Sequence, residues 1–225
     1  MRRFAVVGHR AMSKGKLPLN DLAGAAGRMD VLVRALMGAL LTSHGIRTNV
    51  EIVLHLLGGP GPPRRVKFDG SLLKGIHAEE RSIAGTIGKI LALPLPPIGR
   101  WDDVSPGLSH SGGNLETTLR EWKGATVVAL DAHAPRLWAD EAVLPSNPSG
   151  VDEQDLAFIL SDDQPLEPLM SGSGDATPRR NSVVNRQNTM RSSVSSRMSQ
   201  LVAGVELELL VERNEKNELR KMRYK

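Results

Sequence analysis

Apolar residues recur along the chain in two alternating rhythms. Residues 3–8 read as a buried first strand and 51–57 as a second, residues 125–130 and 156–160 are continuous apolar runs with the pattern of strands buried on both faces, and residues 65–68 read as a further strand. Between the first two runs, Leu22, Met29, Leu32, Val33, Leu36, Met37, Leu40 and Leu41 fall at helical spacing, which predicts a helix over residues 21–44 with Gly45 placed as its C-terminal cap. Residues 77–93 predict a second helix that halts at Pro94, Pro96 and Pro97, because proline removes a backbone donor and clashes with the preceding turn. A shorter helix follows Gly112-Gly113 over residues 115–122. This alternation predicts an α/β fold, a parallel sheet flanked by helices on both sides.

Past residue 170 the material changes. Residues 171–200 are dominated by Ser, Asn, Arg and Gln, a composition that buries too little surface to offset ordering entropy, so this segment is expected to be disordered. Residues 201–210 are apolar enough for a strand or helix, and residues 212–225 are highly charged and could continue a helix. The net charge of +4 follows the same division. Residues 1–170 hold 18 Lys and Arg against 19 Asp and Glu, and residues 171–225 hold the remaining 11 and 6. Affinity of the body for a polyanion must therefore come from local arginines rather than from a global field.

The chain has no cysteine, which excludes disulfides, thiolate metal sites and a cysteine nucleophile. The apolar run after Arg2 and Arg3 is too short for a secretion signal, and no segment approaches the roughly 20 apolar residues of a membrane span. A soluble, cytoplasmic protein without membrane contact is expected. The six histidines show no metal-ligand spacing, so no metal is expected. No GxSxG, GxGxxG or GxxxxGK[ST] motif occurs.

Candidate chemistry concentrates near the start. Gly8-His9-Arg10 sits where a buried strand leaves the sheet, which suits recognition of a base or phosphate, or else a plain turn with a solvated arginine. Gly24-Ala25-Ala26-Gly27-Arg28-Met29-Asp30 places small residues at a predicted helix start, where free N–H groups and Arg28 could meet an anion, or where two elements pack closely. Asp30 could act as a positioned carboxylate or pair with Arg34 at i+4, and Asp21 is a reserve carboxylate or a helix cap. Gly99-Arg100-Trp101 sets a guanidinium beside an indole, a pairing suited to phosphate contact and stacking on RNA loops.

The order GHRA (residues 8–11), NDLxGAAGRMDVL (20–32), LGGPGPP (57–63) and GRW (99–101) resembles the tRNA pseudouridine N1-methyltransferases of the SPOUT class, both the archaeal enzymes and their bacterial relatives. The resemblance runs over residues 1–166. It implies a SPOUT-type parallel sheet flanked by helices, a homodimer, and methyl transfer from S-adenosyl-L-methionine to N1 of pseudouridine 54 in the T-loop of tRNA. It further implies that Arg10 and Asp30 are catalytic, with Asp30 accepting or orienting the N1 proton. His9, Arg28, Arg100 and Trp101 would contact RNA, and Leu130, Leu160, Ser161 and Asp162 would hold the cofactor.

Two departures stand out. Residues 161–165, Ser-Asp-Asp-Gln-Pro, occupy the place of a G-D-H-x-G loop; Ser161 and Pro165 resemble the bacterial branch, whereas Asp163 matches neither. The family's knotted C-terminal segment is not recognisable after Leu166, which is compatible with a frameshift, a retained intron or divergence. The expected organisation is a methyltransferase domain over 1–166, a Ser/Arg-rich segment over 167–200 and a charged strand or helix over 201–225. Two other function classes stay open: a degenerate RNA-binding homologue without catalysis, and a protein-interaction scaffold with a regulatory tail.

Overall fold

The computed structural model describes residues 1–130, 155–164, 166 and 183–184. In chain order the elements are β1 (Arg2–Met12), α1 (Met29–Leu40), β2 (Leu41–Thr42), β3 (Gly45–Ile46), β4 (Val50–Gly58), β5 (Arg64–Asp69), α2 (Glu80–Leu91), β6 (Asp102–Ser105), β7 (Leu108–Gly112), α3 (Leu115–Glu121), β8 (Thr126–Leu130), β9 (Leu156–Ser161) and β10 (Val183–Val184). Apart from the small β2–β3 hairpin, the strands form one sheet in the order β10-β8-β9-β1-β4-β5-β7-β6.

The expectation of a parallel sheet holds for the half from β10 to β4, where each neighbour is parallel. From β4 onward the pairing is antiparallel. The reason is the short connection over residues 59–63, which folds β5 back as a hairpin with Leu56 opposite Arg64; a parallel return would need a crossover of a dozen residues. In this mixed sheet the carboxyl ends of β1, β4, β7, β8 and β9 and the starts of β5 and β6 share one edge.

Helix α1 is shorter than its periodicity suggests. Gly27 (φ 68°) and Arg28 (φ 66°) are left-handed, a conformation that cannot be part of a right-handed helix, so residues 21–28 form turns and α1 begins at Met29. Asp21 closes that turn by accepting the backbone N–H groups of Gly24 (2.9 Å) and Ala25 (2.8 Å). At the other end the chain enters the β2–β3 hairpin, so Gly45 is a strand residue and not a cap. The last carbonyls of α1 instead receive Arg47, whose Nη1 donates to Gly38 (2.6 Å) and Ala39 (2.9 Å).

The two sheet faces bury different layers. Val6, Ile52, Leu54, Val66 and Phe68 pack against α1 and α2 through Leu32, Leu36, Ile83 and Ile87, with the Phe4 and Phe158 rings stacked at 5.3 Å. On the opposite face Ala5, Val7, Val53, Ala157 and Ile159 pack with Leu115, Trp122 and Leu166. Within the segment expected to be disordered, Val183–Val184 pair with β8. The rest of that segment, the charged C-terminus and the place of a knot lie outside the described residues.

Candidate active site

Three early motifs meet at the backbone of Arg10. The pairing of β1 with β4 shifts register between Gly8 (opposite Leu56) and Met12 (opposite Gly58), so residues 9–11 leave the ladder. Gly27 and Gly58 close on the Arg10 carbonyl: a β-carbon at either would lie 1.7 or 2.2 Å from that oxygen. Met12 N donates to the Ala26 carbonyl (3.3 Å) and Ser13 N to that of Gly58 (3.1 Å). The Ser13 hydroxyl donates to Gly58 (2.7 Å) and Gly61 (2.9 Å). The glycines therefore serve close approach, and they bring GHRA, GAAGRMD and LGGPG to one place at the shared sheet edge.

The loop after β9 joins the same place. His9 and Arg10 engage Asp162 and Asp163 in turn: the His9 backbone N–H donates to Asp162 Oδ2 (2.7 Å), His9 Nδ1 lies 2.8 Å from Asp162 Oδ1, and Arg10 forms an ion pair with Asp163. The Asp162 side chain has 0% exposure and also accepts the Gln164 N–H at 3.1 Å. Its carboxylate is thus committed to His9 and its own loop. Arg10 remains half exposed at 51%.

The other proposed site residues have mixed placements. Arg28 grips Asp30 in a two-point pair, Nε to Oδ1 at 3.0 Å and Nη2 to Oδ2 at 3.3 Å, whereas Arg34 pairs with Glu80 on α2. Asp30 is buried at the start of α1. Leu160 points into the α1 core, which leaves only its backbone for a ligand. The Ser161 hydroxyl donates to the Gln164 carbonyl. Leu130 ends β8, and its side chain lies outside the described residues. Strands β8 and β9 end side by side, with Ala129 opposite Ile159. The carboxyl ends of neighbouring strands are the ordinary ligand position of an open parallel sheet.

Arg100 and Trp101 lie before β6 on the same edge. Arg100 is exposed and pairs with Asp102 at 3.0 Å. Trp101 is half-buried, with the cations of Arg65 and Lys67 each 4.5 Å from its ring centroid and its indole N–H donating to Glu121 at 3.2 Å. Arg65 is fully buried and donates to Gly112 (3.2 Å), Thr118 (2.9 Å), Ser111 (3.1 Å) and Glu121 (2.9 Å). The sequence offers no signal for a buried arginine, and this network went unread. Beside Arg65, both ring nitrogens of buried His55 lack a partner among the described residues. Burial, and then the Arg65 charge, push its pKa down to about 3. At the same edge a cavity of about 400 Å³ is lined by Pro62, Pro63, Pro97, Gly113, Asn114 and Arg120. Among the described residues no cluster could hold a metal ion, and no helix is long and apolar enough to cross a membrane.

Residues 1–166 match a family described as "Putative SAM-dependent RNA methyltransferase". The chain is 44% identical over 168 residues to a tRNA (pseudouridine(54)-N(1))-methyltransferase of Methanocella arvoryzae, covering 75% of this chain and 81% of that one. It is 37% identical over 164 residues to the protein of the same name in Methanospirillum hungatei, covering 73% and 77%. The counterpart from Thermococcus gammatolerans is 35% identical over 187 residues, covering 81% and 88%. In structure the chain is similar to Archaeoglobus fulgidus Nep1 bound to S-adenosylhomocysteine, with a TM-score of 0.51, 13% identity, and coverage of 89% of this chain and 94% of that one. At that identity the likeness concerns the fold, and it agrees with the SPOUT architecture expected from the motifs.

Proposed function

Because the chain belongs to this family of S-adenosylmethionine-dependent RNA methyltransferases, we propose that it methylates N1 of pseudouridine 54 in the T-loop of tRNA. The observation that carries this reading is the identity of 35% to 44% with relatives bearing that name, over most of both chains. It is supported by the meeting of GHRA and GAAGRMD at the carboxyl edge of the sheet. The cofactor supplies an electrophilic methyl group on a sulfonium. Its leaving group departs neutral and needs no acid, so the protein's work is alignment, water exclusion and management of the N1 proton.

In this reading the strand ends at Leu130 and Ser161 flank the cofactor, with Asp162 fixing the loop from beneath. Arg10, Arg28 and Arg100 engage RNA phosphates or base edges, and Trp101 offers a ring for stacking. Asp30, gripped by Arg28 through both oxygens, orients the uracil ring. The protein works in the cytoplasm as a homodimer. Calorimetry of the folded full chain with S-adenosylmethionine, followed by mass spectrometry of nucleosides from a tRNA carrying pseudouridine 54, tests this. Binding and 1-methylpseudouridine are expected, and a folded sample that does not bind the cofactor overturns the reading.

A second reading, RNA binding without methyl transfer, draws on the ion pair of Arg10 with Asp163, a residue that departs from the family pattern and neutralises part of the site's charge. It predicts tRNA affinity with no methylated product in the same assay.

A further inference from the structure

We propose that His9 is the group that takes the N1 proton from pseudouridine, with Asp162 as its positioning residue; this rests on the function proposed above. Asp162 is enclosed and accepts three donors, the backbone N–H of His9 and of Gln164 and the ring at His9 Nδ1. An ionised carboxylate can only accept, so the hydrogen of the neutral imidazole sits on Nδ1 and the lone pair on Nε2. His9 Nε2 is buried and has no hydrogen-bond partner among the described residues. Buried polar atoms are ordinarily paired, so this unpaired acceptor where β1 leaves the ladder is suited to a donor supplied by a bound molecule. The reacting atom of pseudouridine before methylation is an N–H donor.

The neighbouring candidates fit less well. Asp30 is gripped by Arg28 through both oxygens, which suits it to orienting the ring, as proposed above. His55 also has vacant nitrogens, but it lies within β4 with 0% exposure and two strands flanking it, whereas His9 lies where β1 leaves the ladder. In the step inferred here, Nε2 takes the N1 proton as the N1 electron pair forms the bond to the methyl carbon. The carbon–sulfur pair stays on sulfur, which departs neutral, and the resulting imidazolium is held against the Asp162 carboxylate. Asp162 thereby fixes the tautomer and offsets the charge, without touching substrate.

The test uses the full chain. His9→Asn keeps a donor where Nδ1 meets Asp162 and removes Nε2; His9→Gln is the second variant. With unchanged melting behaviour, either is expected to lower single-turnover methylation at saturating substrate by about 100-fold or more, with tRNA and S-adenosylmethionine affinities held within about threefold. Nitrogen NMR of the folded wild type is expected to show Nε2 unprotonated, and Asp162→Asn to abolish that preference. A wild type that methylates while His9→Asn or His9→Gln keeps its rate overturns the inference alone, as does a protonated Nε2 in neutral folded wild type, which judges it even if both variants fail to fold. Loss of tRNA or cofactor binding in the folded variants, in step with the rate, would make His9 a contact residue and also overturns it. A wild type that binds no cofactor or transfers no methyl overturns the function proposed above, and this inference with it.

Discussion

The carbonyl oxygen of Arg10 lies 1.7 Å from the position that a β-carbon on Gly27 would take. That single approach joins the strand exit of β1 to the turn before α1, and it requires both the missing side chain and a left-handed φ of 68°. The segments that carry Arg10 and Arg28 are held together by this backbone contact.

Gly27→Ala should therefore lower stability by at least about 2 kcal/mol, since the new methyl meets backbone and the φ is strained as well. Gly75→Ala, at φ 70° with open space around it, carries the strain alone and should cost about 1 kcal/mol. Urea unfolding of both variants measures the difference, and equal losses would mean that the close approach is unimportant.

Stability should fall as pH drops below the ordinary imidazole range. The unfolded chain protonates His55 near 6.5, whereas the buried ring resists protonation to about 3, so between these values the unfolded state binds the extra proton and gains on the folded one. The contribution is about 1.4 kcal/mol per pH unit across that window. His55→Leu should flatten the curve of unfolding free energy against pH by this amount, leaving the contributions of other groups that folding holds low, among them His110 through burial and Asp155 through its bond to the amino terminus.

Removing the carboxylate that faces a buried guanidinium should be costly. Glu121→Ala leaves Arg65 enclosed without its counter-ion and should destabilise by about 2–3 kcal/mol, less than for a fully dry pair because Glu121 is 30% exposed. Arg65→Lys should not preserve the network, since an ammonium cannot reach Gly112, Ser111, Thr118 and Glu121 together. Thermal unfolding checks both.

If Arg10, Arg28 and Arg100 each neutralise a phosphate, replacing any one by Ala should weaken tRNA binding and reduce the slope of log affinity against log salt by about 1. Arg2, at the amino end of β1 and the opposite sheet edge, is the control, and Arg2→Ala should leave the slope unchanged. Filter binding from low to moderate salt reads all four.

What could be read from the residues follows their physics. Strands β8 and β9 were legible as continuous apolar runs, and β1 and β4 as largely apolar ones, because burial on both faces favours such runs. Strands β6 and β7, Asp102–Ser105 and Leu108–Gly112, are too polar to show one. The start of α1 was misplaced because its apolar spacing extends back to Leu22, while the left-handed conformation of Arg28 is imposed by the fold and has no signature in composition. His9 and Asp162 were each singled out, but as separate RNA and cofactor contacts. They are 153 residues apart, and only the β1–β9 pairing reveals them as partners.

Arg64 and Arg65 are adjacent on β5 yet enter opposite layers. Arg64 binds the carbonyls of Ile90 and Leu93 at the end of α2, and Arg65 reaches Thr118 and Glu121 of α3. The strand works like a rivet driven through the whole thickness of the molecule. Sliding it by one residue would swap the two guanidiniums between layers and unfasten both helices at once, so the rim that carries Trp101 has one permitted setting, and whatever docks there must do the adjusting.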